Sequence, residues 1–198
     1  MKCFIGIDAG TSGIKVVVFD TLGRVCGTGY HECDVITPRP GWVEQDPREL
    51  WHACSAAVKM AIGSVGAAIE VGGIGFSGQM QGCLLVDRNL EPIGNCIIWL
   101  DQRSSAQVDE ICGLIADDDA LRLTSNHCLN SFWAPKLLWI RENRPEDYER
   151  AYKVMFVKDY LRLCMTGEVA TEVSDASLSF MLDVGARKWS YPCLLYTS

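Results

Sequence analysis

The stretch IGIDAGTSGIKVVVFD, residues 5–20, decides how the chain begins to fold. Two apolar, strand-like runs flank a turn that carries glycines at positions 10 and 13, with two hydroxyl residues between them. A two-residue hairpin would need only an Asn-Gly or Asp-Gly pair. Glycines let the backbone approach a phosphate closely, and the N–H groups of the turn can donate to it together with Thr11 and Ser12. The stretch therefore predicts a phosphate-binding turn that includes Gly10.

Two charged residues flank this turn. Asp8 stands at the end of the first strand, where a carboxylate can hold a hydrated magnesium ion beside a bound phosphate. Lys15 fits two interpretations equally, a phosphate contact or a solvated residue of the second strand.

Other nucleotide motifs are absent or lack their structural context. Residues 73–78 spell G-x-G-x-x-G, but a dinucleotide-binding fingerprint must open a helix, and the following QMQGCLLV is strand-like. A nicotinamide-dependent oxidoreductase would need a helix beginning near Gly78. Ser12 and Lys15 match the S-x-x-K of penicillin-binding enzymes, yet that serine starts a helix and this one leads into VVVFD. The Walker pattern G-x-x-x-x-G-K-[ST] does not occur.

Further along, strand-like and helical segments alternate. Strands are predicted over residues 3–8, 14–20, 24–33, 71–77, 83–87, 95–100, 154–157 and 179–184, with 71–77 buried and 83–87 paired to 95–100. Helices are predicted over residues 46–63, 104–115, 135–143 and 158–167. The first helix has Asp46 as its N-cap, Pro47 at its first position and Glu49 in a capping box.

This order of elements predicts an α/β fold with a mixed sheet. Three early strands joined by tight turns, then alternating helices and strands, are typical of the ribonuclease-H-like domain of actin/hexokinase-type ATPases. Sugar kinases, actin and chaperone ATPases share that domain, and the order of elements alone does not separate them.

The composition narrows the class of partner. The 198 residues are 48% hydrophobic and 22% charged, as in an ordinary globular protein, and carry a net charge of −7. This dispersed acidic charge argues against a nucleic-acid partner. No apolar run approaches the roughly 20 residues needed to span a bilayer, and the N-terminus does not resemble a secretory signal. We therefore expect no membrane partner and a cytoplasmic location.

The ten cysteines are expected to be free thiols in a reducing compartment, since several lie in apolar segments and none form a C-x-x-C pair. The three histidines form no cluster with the spacing of zinc ligands.

Several motifs resemble the FGGY family of carbohydrate kinases, which transfer the γ-phosphoryl group of ATP to a sugar hydroxyl. IGIDAGTSGIK is similar to the first phosphate loop of that family, and PGWVEQDPRELW to the segment after its third strand. GFSGQMQGCLLVD, IIWLDQRSSAQ, APKLLWIREN, KDYLRLCMTGE and SDAS followed by MLDV resemble the members that phosphorylate xylulose. The resemblance covers roughly residues 3–190 and implies a kinase N-terminal lobe. The sugar-side motifs SGQMQG and WLDQR distinguish it from actin-like and chaperone ATPases.

The resemblance also implies site residues, with ATP and Mg²⁺ as cofactors and a ketopentose as sugar. Those facing the ATP phosphates and magnesium are Asp8, Gly10, Thr11, Ser12 and Lys15, with Asp8 binding Mg²⁺ through water. Those at the sugar site are Gln79, Met80 and Gln81, with Trp99, Asp101 and Arg103 near its rim. Three alternatives stay open: Met80 as core filling, Trp99 as packing, and Asp101 with Arg103 as an exposed ion pair of little energetic value.

Two departures from the family pattern matter. Position 81 is Gln where the xylulose-phosphorylating members usually carry His, which leaves ribulose, gluconate, fuculose or glycerol as alternative substrates. Family members are also much longer chains with two lobes, whose catalytic aspartate is expected beyond Ser198. Asp175 and Asp183 align with ordinary positions and are not assigned as that base. We therefore expect residues 1–190 to form an incomplete N-terminal lobe, inactive alone, followed by an unrelated tail at 191–198. A non-catalytic sugar-binding module is the alternative, and a homodimer is expected for the full-length form.

Overall fold

The structure is a computed structural model that describes residues 1–194; residues 195–198, part of the predicted tail, lie outside the described residues. The strands are β1 Lys2–Ala9, β2 Gly13–Asp20, β3 Val25–Glu32, β4 Glu44–Gln45, β5 Glu70–Gly78, β6 Cys83–Val86, β7 Pro92–Ile97, β8 Lys153–Met155, β9 Leu182–Asp183 and β10 Lys188–Trp189. The helices are α1 Pro47–Gly63, α2 Ser105–Leu114, α3 Asp117–Thr124, α4 Trp133–Asn143, α5 Pro145–Arg150, α6 Val157–Thr166, α7 Val173–Ala176 and α8 Tyr191–Leu194.

The first sheet has the strand order β3-β2-β1-β5. β1, β2 and β3 are antiparallel neighbours, whereas β5 runs parallel to β1, so the sheet is mixed as predicted. Along β1, Cys3, Ile5 and Ile7 alternate with more exposed residues, and the buried set faces one side. The expected α/β fold with a mixed sheet is confirmed.

Helix α1 covers the buried face of this sheet. Asp46 caps the helix as predicted, with its side chain accepting a hydrogen bond from the Arg48 backbone N–H at 2.8 Å. Gly29 of β3 allows a very close approach, because a Cβ atom there would lie 2.1 Å from the carbonyl oxygen of Ala57. The glycine therefore sets the distance between the helix and the sheet.

The prediction that the 71–77 segment is buried was wrong. The strand forms, as β5, but it is mostly exposed: Val71 and Ile74 are 43% and 45% exposed. Within residues 1–194, β5 is an edge strand that pairs only with β1. An apolar run indicates burial only when another layer covers it, and that depends on tertiary packing.

The second sheet is antiparallel, with the order β4-β7-β6-β8. Leu85 of β6 pairs with Ile93 of β7, which confirms the predicted strand pair. Its core is aromatic: Trp133 stacks on Phe156 with ring centroids 3.7 Å apart, and Phe132 stacks on Phe180. Helix α4 contributes most of its residues to this core.

Several boundaries differ from the predictions. Helix α4 begins at Trp133 rather than at 135, and α6 begins at Val157 rather than at 158. The end of α6 at Gly167 agrees with the prediction, and the structure places this C-cap residue in the left-handed conformation. The predicted strand 179–184 is only partly correct, since Ser177–Ser179 is a 3-10 turn and β9 is two residues long. Phe180 has φ +62°, which interrupts an extended chain at this point. Helices α3, α5, α7 and α8 and the two-residue strands β4 and β10 were not predicted.

The fold rules out the S-x-x-K and G-x-G-x-x-G matches, because neither motif opens a helix. Ser12 leads into strand β2, not into a helix. After Gly78 the chain turns through Gln81 and enters β6, so the glycine pattern opens no helix. All ten cysteines are free thiols, although Cys112 is exposed. Across residues 1–194, the structure contains no helix with the length and apolar character of a membrane span.

Candidate functional site

The glycine-rich turn joins β1 to β2 at one end of the first sheet. Two groups of β3 and its continuation hold its backbone: the Tyr30 hydroxyl and the Cys33 N–H both donate to the carbonyl oxygen of Ser12, at 3.2 Å and 3.1 Å. The turn leaves no room for a side chain at Gly13 and little room for one at Gly10. A Cβ atom at Gly13 would lie 2.4 Å from the Tyr30 hydroxyl, and one at Gly10 would lie 3.2 Å from the Gly13 carbonyl oxygen.

The charged residues beside the turn lie on the exposed face of the sheet. Asp8 is paired in register with Lys15 of β2 and with Ser77 of β5, so the three side chains project from the same face. Asp8, Lys15 and the neighbouring Ser12 are all exposed. A free carboxylate, an ammonium and a hydroxyl therefore meet at the end of the strands that the turn caps.

A closed ring of hydrogen bonds joins this turn to the SGQMQG segment. The Thr11 hydroxyl donates to Gln79 Oε1 at 3.4 Å, and Gln79 Nε2 donates to Gln45 Oε1 at 2.6 Å. Gln45 Nε2 then donates to the Thr11 carbonyl oxygen at 2.9 Å and closes the ring. Gln45 and Gln79 are 1% and 8% exposed, so the hydrogen bond between their side chains is shielded from water.

Trp99 extends the same ring from the end of the second sheet. Its Nε1 donates to the Thr11 hydroxyl oxygen at 3.0 Å, while 42% of the residue remains exposed. Trp99 is therefore oriented by the glycine-rich turn. Met80 is 54% exposed, which excludes the interpretation that it fills the core.

Gln81 adopts a backbone conformation that non-glycine residues rarely take, with φ +64°. Its carbonyl oxygen accepts a hydrogen bond from Lys136 Nζ at 2.8 Å, and Trp133 Nε1 donates to the next carbonyl oxygen, that of Gly82, at 2.7 Å. Helix α4 thus fixes the backbone of the SGQMQG segment through hydrogen bonds from two of its side chains.

The Asp101 and Arg103 side chains are buried, so the interpretation as an exposed ion pair was wrong. Arg103 Nη2 lies 2.7 Å from Asp101 Oδ2 and 2.7 Å from Glu44 Oε1, and none of the three side chains is more than 5% exposed. Asp101 Oδ2 also accepts a hydrogen bond from the backbone N–H of Val43, at 2.6 Å. The guanidinium also lies 4.0 Å from the Trp42 ring centroid. These contacts fix the loop that follows Trp99.

An acidic cluster lies beyond Met80. Lys158 donates to Glu172 and to Asp175, and a cavity of about 500 Å³ extends from these side chains to Met80 and Ser77. Partial burial opposes ionisation of Glu172, but hydrogen bonds from Lys158 and Ser174 lower its pKa to about 2. Asp183, which like Asp175 was not assigned as the catalytic base, accepts the Ala186 N–H at 2.8 Å. Asp175 and Asp183 thus already have structural partners.

Sequence reasoning missed Gln45 and Lys136. Gln45 directly precedes the helix cap Asp46, and no motif distinguished it from a loop residue. Lys136 could have been found from its surroundings, WAPKLLWI, because a single lysine in an apolar helical stretch requires buried partners. The hydrogen-bond partners of the Gln45 amide and of the Lys136 ammonium cannot be predicted from the sequence, because they lie in distant segments of the chain.

The fold defines the chain as an N-terminal lobe of the actin/hexokinase-type class, in which a glycine-rich turn lies next to an exposed carboxylate. A sequence profile described as the FGGY family of carbohydrate kinases, N-terminal domain, matches residues 3–197. The chain belongs to this family.

Individual relatives agree with this assignment. The chain is 39% identical over 189 residues to the xylulose kinase of Klebsiella pneumoniae and 38% identical over 187 residues to that of Escherichia coli K12. In both cases 94% of this chain aligns with 38% of the relative, so the chain spans well under half the length of the curated relatives it matches.

Solved structures of carbohydrate kinases also match this chain. A structure described as a xyloylose kinase from Brucella ovis matches with a TM-score of 0.91 and 39% sequence identity. The superposition includes 99% of this chain and 40% of the Brucella chain. A gluconate kinase from Lactobacillus acidophilus has a TM-score of 0.92 at 22% identity, which is evidence for the fold alone.

Proposed function

We propose that this chain supplies the phosphate-binding turn and the sugar-binding segments of an ATP-dependent kinase that converts D-xylulose to D-xylulose 5-phosphate. The observation that carries this proposal is the ring of Thr11, Gln79 and Gln45, which places the glycine-rich turn and the SGQMQG segment in direct contact. Phosphoryl transfer requires the phosphate donor and the acceptor hydroxyl to be held in line, and such a connection sets their separation.

The residues present fit a magnesium nucleotide. Gly10 and Gly13 leave the turn without side chains that would obstruct a phosphate, and Asp8 is an exposed carboxylate at the end of a strand. We assign Asp8 to Mg²⁺ through water, and Gly10, Thr11, Ser12 and Lys15 to the phosphates. When bound, the ion neutralises charge on the phosphate oxygens. The Thr11 hydroxyl proton already faces Gln79, so its contribution to phosphate comes from the backbone N–H.

The exposed faces of Met80 and Trp99 supply an apolar surface for the carbon skeleton of the sugar. The Gln81 amide both donates and accepts hydrogen bonds, as a sugar hydroxyl requires. Gln79, Asp101 and Arg103 use their polar atoms internally, and we assign them to holding Trp99 and the SGQMQG segment in place.

The general base is assigned to an aspartate in a part of the protein outside these 198 residues. Such a base takes the proton from the attacking sugar hydroxyl. Asp175 and Asp183 are held by Lys158 and by the Ala186 N–H, and we give neither this role. We therefore expect no steady conversion of D-xylulose and ATP by the 198-residue chain alone, measured as ADP released over time. Sustained sugar-dependent release of ADP would contradict this assignment.

The kinase proposal is tested with a chimera in which residues 1–190 replace the matching segment of the Klebsiella pneumoniae xylulose kinase. We expect ATP-dependent phosphorylation of D-xylulose, reduced at least about a hundredfold by Asp8→Ala, because magnesium and phosphate charge would then be unbalanced. A folded chimera that consumes no ATP with any sugar would overturn the proposed function.

One observation favours a second sugar. Gln81 stands where the resemblance led us to expect His, and a neutral amide cannot carry a positive charge. The same chimera is therefore assayed with D-ribulose, gluconate, fuculose and glycerol. A higher kcat/KM for one of these than for D-xylulose would keep the sugar kinase class and replace the substrate. Binding of sugar without ATP consumption would instead support the non-catalytic alternative.

A further inference from the structure

Lys136 is an ammonium group with no exposed surface. It lies in the first turns of α4, and its three protons are directed at backbone carbonyl oxygens. Nζ lies 2.8 Å from the oxygen of Gln81, 3.1 Å from that of Ile98 and 3.3 Å from that of Ile97. Its hydrogen-bond partners are therefore all carbonyls, none of them a carboxylate.

Such a group is costly to bury, so its retention calls for an explanation. Moving an ammonium out of water is unfavourable unless every proton is hydrogen-bonded. The neighbouring thiols Cys83 and Cys96 are themselves buried and supply no ionised partner. A leucine or methionine would fill the same space in this apolar core without the cost of burying a charge.

What Lys136 does achieve is a connection between two distant segments. One is the SGQMQG segment, at the unusual backbone of Gln81, and the other is the end of β7, from which Trp99 follows directly. A single Nζ atom accordingly fixes the spacing of the two backbones that carry Gln81 and Trp99. The hydrogen bond from Trp133 to Gly82 comes from the same helix and acts on one segment only.

We propose that Lys136 is a positioning residue for the sugar site, which sets the separation between the Gln81 backbone and Trp99. This inference rests on the proposed function in placing the sugar between these two residues. Lys136 does not touch the sugar, and it acts through the three carbonyl groups.

The first test is amide hydrogen exchange on the 198-residue chain and its Lys136→Met variant. Two backbone N–H groups near the Lys136 hydrogen bonds report on this region. The Ile98 N–H donates to the carbonyl oxygen of Val43, and the Asp101 N–H donates to that of Ile98. We expect their protection to fall at least about tenfold, with less than about a twofold change at Ile5 and Ile7 of β1. A uniform loss throughout the chain, or no loss, would overturn the positioning role.

Two further variants keep this test decisive. Lys59→Met, at an exposed position of α1, is the matched control and is expected to change no protection. If Lys136→Met does not fold, Lys136→Gln is measured by the same criterion, because it keeps two N–H donors in a shorter side chain. A local loss is again the expected result, and a uniform one overturns the role.

The second test separates this inference from the proposed function. In the chimera, Lys136→Met is expected to raise KM for D-xylulose at least about tenfold and to change KM for ATP less than about threefold. An equal rise in both constants, or a fall in kcat alone, would overturn the positioning role. A wild-type chimera that is inactive on every sugar would overturn the proposed function, while amide exchange would still decide whether Lys136 fixes the two segments.

Discussion

At the scale of single residues, the buried polar groups matter more than the exposed ones. Arg103 is held by Asp101 and Glu44 in a space that excludes water, and it lies between the Trp42 and Trp139 rings. Removing Asp101 would leave Glu44 as a carboxylate partner of Arg103, but the buried N–H groups of Val43 and Arg103 would lose their acceptor, and each unsatisfied buried donor costs about 1–3 kcal/mol.

We therefore expect Asp101→Ala to lower the free energy of unfolding by about 3–5 kcal/mol. The matched control is Asp119→Ala, which breaks the exposed pair with Arg122 and is expected to cost less than about 1 kcal/mol. Urea unfolding followed by tryptophan fluorescence measures both. Equal effects of the two substitutions would show that the Asp101 carboxylate is hydrated.

Lys136 also gives the stability a pH dependence of known sign. Burial lowers its pKa to about 8 from 10.5, against smaller opposing effects of Cys83, Cys96 and Asp101 and a supporting one of Arg103. Between these two values the unfolded chain binds more protons than the folded one, so stability rises with pH. Relative to Lys136→Met, the wild-type chain should gain about 2–3 kcal/mol as the pH rises from about 8 to about 10.5.

Urea unfolding of both chains at several pH values in this range measures that gain. The comparison with Lys136→Met removes the contribution of titrating thiols elsewhere. A constant difference between the two chains would mean that the ammonium is solvated in the folded state.

At the scale of elements, local patterns predicted what local chemistry controls. The predictions of a turn at Gly10 between the first two strands, of the capping of α1 by Asp46 and of the end of α6 at Gly167 were all correct, because each depends on neighbouring residues. The exposure of β5 was not predicted, since an apolar strand looks the same whether or not another layer covers it.

The candidate site likewise contains residues that were predicted from the sequence and residues that were missed. Its glycine-rich turn was predicted from one short stretch, and the family resemblance supplied Met80, Gln81 and Trp99. Gln45 and Lys136 were missed because their partners lie 34 and 55 residues away in sequence. The burial of Arg103 escaped prediction for the same reason: it depends on rings from two other segments.

The contact of α1 with the sheet gives an element-scale prediction. Gly29→Ala would place a Cβ atom 2.1 Å from the Ala57 carbonyl oxygen, so the helix must move away from β3. We expect a loss of about 1–3 kcal/mol in the free energy of unfolding. Gly75→Ala is the control, since a Cβ atom there meets nothing within 4 Å, and it should change stability by less than about 0.5 kcal/mol. Similar results for both would refute close helix packing.

At the scale of the whole molecule, the two sheets meet where the site is formed. The first sheet carries the glycine-rich turn and Asp8, and Trp99 lies two residues after β7 of the second sheet. Gln45 of β4 joins the two sheets through its hydrogen bonds with Thr11 and Gln79. One hydrophobic core spans this boundary, since Leu84 of β6 and Ile98, which follows β7, belong to the same cluster of buried residues as Ile7 of β1. The proposed sugar site is thus positioned by the packing of both sheets.

The central claim is that this surface binds a ketopentose, and calorimetric titration of D-xylulose into the 198-residue chain tests it most directly. We predict saturable binding that weakens at least about tenfold in Trp99→Ala, because the exposed ring supplies the apolar face of the site. Trp189→Ala, at a similarly exposed ring on β10, should leave the affinity unchanged. Absence of binding, or equal weakening by both substitutions, would contradict the account.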